Sequence, residues 1–101
     1  MPRPKEPLLT KKEIVSFLQE LPGWQQQENN IIKEFHLPTF LDAISLTNQV
    51  AIASEIADHH PDISINYRTL SFVLSTHHSD GLTKKDFDLA SQIESLSKKF
   101  L

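Results

Sequence analysis

Hydrophobic residues recur at steps of three and four in three segments of this chain, which is the spacing of one face of an α-helix. The first segment begins at Thr10, and Thr10 and Glu13 have the spacing of an N-terminal capping box. It ends at Pro22-Gly23, a pair that stops helices. Its apolar positions are Ile14, Phe17, Leu18 and Leu21.

The second and third helical segments also begin at threonines. The second begins at Thr39 and is predicted to end about His60, because Pro61 disfavours helical geometry in the residue before it. The third begins at Thr83, with Asp86 at the third helical position. The apolar stripe of the second helix is Ala43, Leu46, Val50, Ala53 and Ala57, and that of the third is Leu89, Ile93, Leu96 and Phe100.

Between these helices, apolar and polar residues alternate or form short β-rich runs, which is typical of strands. The strand candidates are residues 24–27, 31–37, 62–67 and 70–75, with short links that favour two hairpins. The predicted order is α-β-β-α-β-β-α. We therefore predict an α+β domain, with a four-stranded antiparallel sheet and three helices packed on one face.

The composition adds a domain count and excludes some partners. Hydrophobic residues make up 39% of the 101 residues and charged residues 23%, so we expect one globular domain over residues 10–101 after a flexible tail, residues 1–9. A net charge of −3 argues against direct nucleic-acid binding. No apolar run approaches the roughly 18 residues that span a bilayer, and the N-terminus lacks the apolar region of a signal peptide.

The chain has no cysteine, which excludes thiolate chemistry and disulfides and favours a cytoplasmic location. The candidate chemistry lies instead in a cluster of histidines and carboxylates. Glu55, Asp58, His59 and His60 surround the predicted end of the second helix, and His77 follows the last strand. Glu55 and His59 share a helical face if the helix continues to His59. Histidine changes charge near neutral pH, so this cluster suits proton transfer.

Other interpretations of the histidines remain open from the residues alone. A histidine near a helix C-terminus can simply stabilise the helix dipole, and His36 and His78 have no partner motif and are expected to be surface residues. Metal binding is a second alternative, although the sequence lacks closely spaced ligands such as H-E-x-x-H, and we expect none. With two glycines in the chain, no G-x-S-x-G nucleophile elbow is possible.

An ordered set of residues, spread over positions 10 to 96, resembles the signature of the pterin-4a-carbinolamine dehydratase family. The set is Leu21-Pro22-Gly23-Trp24, then Glu55, His59-His60-Pro61 and Tyr67, then Leu74-Ser75-Thr76-His77, and finally Gly81-Leu82-Thr83, Asp86 and Leu89-Ala90. The chain departs from the pattern at His78 and Asp80, in a loop often built from smaller residues. We expect these polar groups to alter access to the pocket or substrate preference.

The resemblance implies dehydration of 4a-hydroxytetrahydrobiopterin to quinonoid dihydrobiopterin, with no metal or organic cofactor. It implies that His59, His60 and His77 form the active site, one as acid and another as base, and that they also contact the pterin. Asp58 and Asp86 would orient or charge-tune the histidines.

Two aromatic residues of the signature have structural as well as functional interpretations. The resemblance places Trp24 near the pterin pocket, although a tryptophan after Pro22-Gly23 is more often a core residue. For Tyr67 we expect a structural role, with its ring in the core.

The resemblance also implies assembly, as a homodimer or homotetramer. The second helix carries apolar residues outside its stripe, which favours burial against another subunit. These residues are Leu41, Ile44, Ile52 and Ile56. An alternative function follows, because some members of the family act as dimerisation cofactors of a transcription factor. A non-catalytic interaction module, or a dehydratase of another pterin, therefore stays open.

Overall fold

The computed structural model describes residues 6–101 and contains the three expected helices. They are α1 (Lys11–Gln19), α2 (Phe40–Ala57) and α3 (Lys84–Ser97). The Thr10 hydroxyl accepts the Glu13 N–H at 3.2 Å, and the Glu13 carboxylate accepts the Thr10 N–H at 2.9 Å. At the start of α2, the Thr39 hydroxyl accepts the Asp42 N–H at 3.0 Å. The capping residues thus set the helix starts, as predicted.

Four antiparallel strands form one sheet in the order β1-β2-β4-β3. The strands are β1 (Gln25–Gln27), β2 (Asn30–His36), β3 (Asp62–Asn66) and β4 (Thr69–Leu74). Each hairpin turns through two residues, and one residue of each turn has a positive φ, Glu28 at 56° and Tyr67 at 54°. The two hairpins join where β2 pairs with β4. The α+β class and the order of elements are confirmed.

The core lies on one face of this sheet. Along β4 the side chains of Leu70, Phe72 and Leu74 are fully buried and alternate with partly exposed neighbours, which is the pattern of a strand covered on one side. The rings of Phe17 on α1 and Phe87 on α3 stack with their centroids 5.1 Å apart. The sheet and helices therefore share a single core, with the carboxyl ends of α2 and β4 at its margin.

Helix α2 ends at Ala57, so the prediction that it ends about His60 was wrong. Asp58 adopts the left-handed conformation at φ 50°. The Asp58 N–H is bonded to the Glu55 carbonyl at 3.3 Å, and the His59 N–H to the Ser54 carbonyl at 3.0 Å. These two bonds have the pattern of a Schellman motif. The motif ends the helix and reverses the chain direction upstream of Pro61, so the proline does not set the helix end. Ser54, rather than Ala57, closes the buried stripe of α2.

Tyr67 also departs from expectation, because its ring does not lie in the core. Its side chain is 67% exposed at the tip of the β3–β4 hairpin. Tyr67 is a central residue of a two-residue turn, which projects beyond the ends of the paired strands. Its side chain therefore cannot pack into the core. Arg68 lies over the Tyr67 ring at 5.2 Å.

The predicted tail, residues 1–9, lies partly outside the described residues, and its flexibility stays a prediction. In its described part, the Leu9 N–H donates to the Leu82 carbonyl at 2.9 Å and the Ser79 hydroxyl donates to the Glu6 carbonyl at 2.6 Å. Over residues 6–101, none of the helices combines the length and apolar character that a membrane crossing requires.

Candidate active site

The carboxyl ends of α2 and β4 meet at a cavity of about 290 Å³. His59, His60 and His77 all line it, together with Asp58. The spatial juxtaposition expected of a helix end and a strand end is therefore present in the fold. The other lining residues are Glu6, Ser75, Thr76, His78 and Lys85.

His59 is buried, and its ring is held by a carboxylate from α3. Its Nε2 lies 2.7 Å from Asp86 Oδ1. Because a carboxylate accepts hydrogen bonds, Nε2 carries a hydrogen, and in the neutral ring Nδ1 is then the acceptor. Asp86 thereby selects one tautomer of His59.

Asp86 is fully buried and accepts three hydrogen bonds. Besides His59, the Thr76 hydroxyl donates to Oδ2 at 2.8 Å and the Thr83 N–H donates to Oδ2 at 2.9 Å. A buried carboxylate is costly unless its oxygens are bonded, and these three donors meet that requirement. Asp86 therefore closes the start of α3 and orients His59 at the same time.

His60 pairs with a different carboxylate. Its Nε2 contacts Glu55 Oε2, and this pair is largely exposed, with the His60 side chain 54% accessible. The sequence pairing of Glu55 with His59 depended on a helix continuing to His59. Because α2 ends at Ala57, the chain reversal turns His59 toward α3 and leaves His60 beside Glu55.

His77 begins a short 3₁₀ turn, His77–Ser79, directly after the end of β4. An antiparallel bridge between Thr76 and Gly81 closes the loop that contains this turn. Asp80, directly after the turn, has a positive φ of 57°. Across residues 6–101, no side-chain hydrogen bond holds the His77 ring. It is exposed at the cavity and available to a ligand.

Sequence reasoning missed Glu6 and Lys85 as cavity residues. His78 is exposed, as expected, and it also lines the cavity beside His77. Lys85 and Glu6, which also line the cavity, form an ion pair at 3.6 Å. A sequence signal existed for His78, which directly follows a predicted site residue, but none existed for Glu6, which comes from the chain's other end.

Trp24 does not line this cavity. It is buried in the core, and its indole N–H donates to Glu94 Oε1 on α3 at 2.8 Å. Lys33 contacts the same carboxylate oxygen and donates to the Pro22 carbonyl at 2.8 Å. These contacts fasten the turn before β1 to α3, which accounts for Trp24 structurally.

Residues 6–101 contain no group of three or more histidine, aspartate or glutamate side chains placed to hold one ion. Two carboxylates near the histidines are each bonded to one ring, Asp86 to His59 and Glu55 to His60.

The sequence pattern that defines "Pterin 4 alpha carbinolamine dehydratase" matches residues 7–96. The chain belongs to this family. Two curated relatives that carry the family's name are similar over most of their length. A protein of Roseiflexus castenholzii is 49% identical over 89 residues, covering 88% of this chain and 96% of that protein. A protein of Nocardia farcinica is 45% identical over 91 residues, covering 90% and 96%.

Solved structures agree with the fold. A crystal structure of a transcriptional coactivator/pterin dehydratase from Brucella melitensis superposes with a TM-score of 0.86 at 29% identity, covering 89% of this chain and 98% of that chain. A pterin dehydratase-like protein identified as a RuBisCO assembly factor in the alpha-carboxysome superposes with a TM-score of 0.62 at 17% identity, covering 73% and 86%. The second likeness concerns the fold alone.

Proposed function

We propose that this protein dehydrates 4a-hydroxytetrahydrobiopterin to quinonoid dihydrobiopterin by histidine acid–base catalysis. The observation that carries the proposal is the meeting of His59, His60 and His77 at one cavity in a chain of the pterin dehydratase family. The reaction needs a proton acceptor and a proton donor on a bound ring, and imidazoles supply both near neutral pH.

The reaction requires one ring to act as a base and another as an acid. A base removes the N5 proton, the nitrogen electrons form the N5–C4a double bond, and the C4a–oxygen bond breaks as an acid protonates the hydroxyl to water. His59 suits the base, because Asp86 occupies its Nε2–H and leaves Nδ1 as an acceptor. His60 or His77 then donates the proton. No electron transfer occurs, so the step balances without a redox partner.

A comparison of four alanine variants tests this proposal. General acid–base catalysis typically contributes 10²–10⁴-fold, so His59→Ala and His77→Ala should each lower kcat by about that factor. The assay follows quinonoid dihydropterin formation with purified protein, and His60→Ala is measured in parallel. The matched control is His36→Ala, at the end of β2 and outside the cavity, which should retain wild-type activity. Full activity in the His59, His60 and His77 variants alike would remove these histidines from the mechanism.

The same assay, run with different pterin substrates, tests the choice of pterin, because the cavity is lined by His78 and by the Lys85–Glu6 pair. These polar groups favour a pterin with a hydrogen-bonding side chain. A tetrahydropterin carbinolamine with a methyl in place of the dihydroxypropyl group should therefore show a higher KM. An equal or lower KM would assign the protein to another pterin.

We also propose that the chain assembles as a homodimer or homotetramer. Ile52 and Ile56 on α2 are 62% and 82% exposed, and Leu41 is also exposed. Between α2 and α3 lies a mostly apolar groove of about 390 Å³, lined in part by Ile52, Ile56 and Leu96. Exposed apolar area of this kind marks interaction surfaces.

A second candidate function uses that apolar surface. The Brucella melitensis neighbour is described as a coactivator as well as a dehydratase. An oligomeric interaction module is thus the alternative to catalysis, and the two are compatible. A protein that assembles but shows no dehydratase activity would support the module alone. A cytoplasmic location stays a prediction.

A further inference from the structure

We propose that Thr76 is a positioning residue that fixes His59 relative to His77, an inference that rests on the proposed histidine chemistry. Thr76 follows the end of β4 and lies between Ser75 and the site residue His77. Its side chain and its backbone make bonds in different directions. One set reaches His59, and the other shapes the turn that carries His77.

The side chain of Thr76 belongs to a buried chain of hydrogen bonds that ends at His59. Its hydroxyl donates to Asp86 Oδ2 at 2.8 Å, and Asp86 Oδ1 accepts from His59 Nε2 at 2.7 Å. The Thr83 hydroxyl lies 2.7 Å from the Thr76 oxygen. Because the single Thr76 hydroxyl proton is directed to Asp86, Thr83 donates to Thr76.

The backbone of Thr76 closes the loop that presents His77. Its N–H donates to the Gly81 carbonyl at 2.9 Å, and its carbonyl accepts the Ser79 N–H at 3.0 Å. These bonds clamp the 3₁₀ turn in which His77 is the first residue. Thr76 is therefore joined to one histidine through Asp86 and to the other through the chain itself.

The loss of any of these hydrogen bonds is costly because the residues that make them are buried. Thr76 is 3% exposed and Thr83 and Asp86 are fully buried, so water has no access to replace a lost partner. Among the described residues, every buried side-chain polar atom has a hydrogen-bond partner. Removing the Thr76 hydroxyl would leave the Thr83 hydroxyl without its acceptor and Asp86 Oδ2 with one donor. The carboxylate could then rotate and release the His59 ring.

The test compares Thr76→Val, which removes the hydroxyl and keeps the shape, with Thr76→Ser, which keeps the hydroxyl. Because small displacements of reacting groups can cost up to about 100-fold, we expect Thr76→Val to lower kcat by about 10- to 100-fold and Thr76→Ser to restore most of it. The matched control is Thr47→Val on α2. It also removes a hydroxyl, one that donates at 2.8 Å to the Ala43 carbonyl outside the site, and should leave kcat unchanged.

A spectroscopic measurement separates positioning from a loss of stability. In ¹⁵N-labelled wild type, the His59 ring should show the Nε2–H tautomer, and in Thr76→Val its two ring nitrogens should move toward the averaged values of a free imidazole. The His60 ring, which contacts Glu55 rather than Asp86, should keep its signals. If Thr76→Val does not fold, Thr83→Val replaces it. That variant removes the donor to Thr76 and the Thr83 side chain's part in the capping box of α3, but it keeps the Thr76 bond to Asp86. It should give the same change in the His59 signals in smaller measure.

Unchanged His59 ring signals in the folded variant would overturn the proposal, as would a Thr76→Ser protein as impaired as Thr76→Val. The measurement of the His59 ring signals does not depend on turnover. An inactive wild-type protein would refute the proposed function, while the His59 signals would still decide whether Thr76 positions that ring.

Discussion

Asp86 shows how one side chain can serve both the fold and the site. Its position, three residues after Thr83, is explained by helix capping, and the structure confirms that the carboxylate accepts the Thr83 N–H. The same carboxylate holds His59, which lies 27 positions earlier in the chain. The capping role follows from local spacing, whereas the contact with His59 depends on how α2 and α3 pack, which no local spacing reports.

Asp86→Asn should therefore impair stability and activity together. The amide presents a donor where one of three donors now points, leaving a buried polar group unsatisfied, at a cost of about 1–3 kcal/mol. We expect the free energy of unfolding, measured with urea, to fall by this amount, and kcat to fall by at least about tenfold. The control is Asp88→Asn, two positions along α3, where an exposed carboxylate pairs with Lys84 at 3.6 Å. It should change stability by less than about 0.5 kcal/mol. Similar losses in both variants would contradict this account of Asp86.

The different environments of His59 and His60 were only partly predictable. Adjacent residues point in different directions, so the sequence indicates only that the two rings do not face the same way. In the structure both rings line the cavity, each beside its own carboxylate. The assignment of partners was missed because it follows from Asp58, whose left-handed conformation ends α2 early. Aspartate tolerates the left-handed conformation, but its presence in a sequence does not predict that conformation as a glycine would.

At the scale of elements, the sequence predicted where helices start and which segments alternate as strands, but it did not predict the order of strands in the sheet. Capping threonines fixed the beginnings of α1 and α2, and alternation located β3 and β4. The pairing of β2 with β4 joins residues far apart in sequence. It depends on which apolar faces must share one core, and periodicity within a strand carries no such information.

The turn between α1 and β1 offers a prediction at this scale. Gly23 has a φ of +85°, and a Cβ there would lie 2.8 Å from Cε of Lys33, whose ammonium bonds the Pro22 carbonyl. Gly23→Ala should lower the free energy of unfolding by about 1–2 kcal/mol, since it imposes backbone strain and displaces Lys33. Thermal or urea unfolding measures this change.

Gly81→Ala is the matched control for Gly23→Ala. Gly81 has no positive φ, and an added Cβ would meet a flexible Leu8 methyl at 3.0 Å. Its substitution should therefore cost less. A larger loss at Gly81 than at Gly23 would contradict the role given to the positive φ.

At the scale of the whole molecule, the sequence correctly indicated that α2 has more apolar surface than one chain buries. Leu41, Ile52 and Ile56 are exposed, although Ile44 is only partly so. In the proposed assembly, a partner subunit would cover this surface. The sequence of one chain predicts the excess but not the geometry of assembly.

The double variant Ile52→Lys with Ile56→Lys should shift the oligomer toward monomer, because two charges would have to be buried at the interface. Light scattering at micromolar concentration measures the molar mass. Val15→Lys, at an exposed apolar position of α1, is the control and should leave the mass unchanged. A wild-type protein that is already monomeric, or a variant with wild-type mass, would refute assembly through α2.

The central claim is that His59, His60 and His77 face one pterin-binding cavity, and a titration observed at the histidine rings tests it most directly. Adding a dihydropterin to ¹⁵N-labelled protein should shift the ring signals of these three residues with a common saturation curve. His36, whose Nδ1 lies 3.3 Å from the Thr69 hydroxyl away from the cavity, should stay unchanged as the internal reference. Saturable binding that leaves His59, His60 and His77 unmoved, or that shifts His36 equally, would contradict the account.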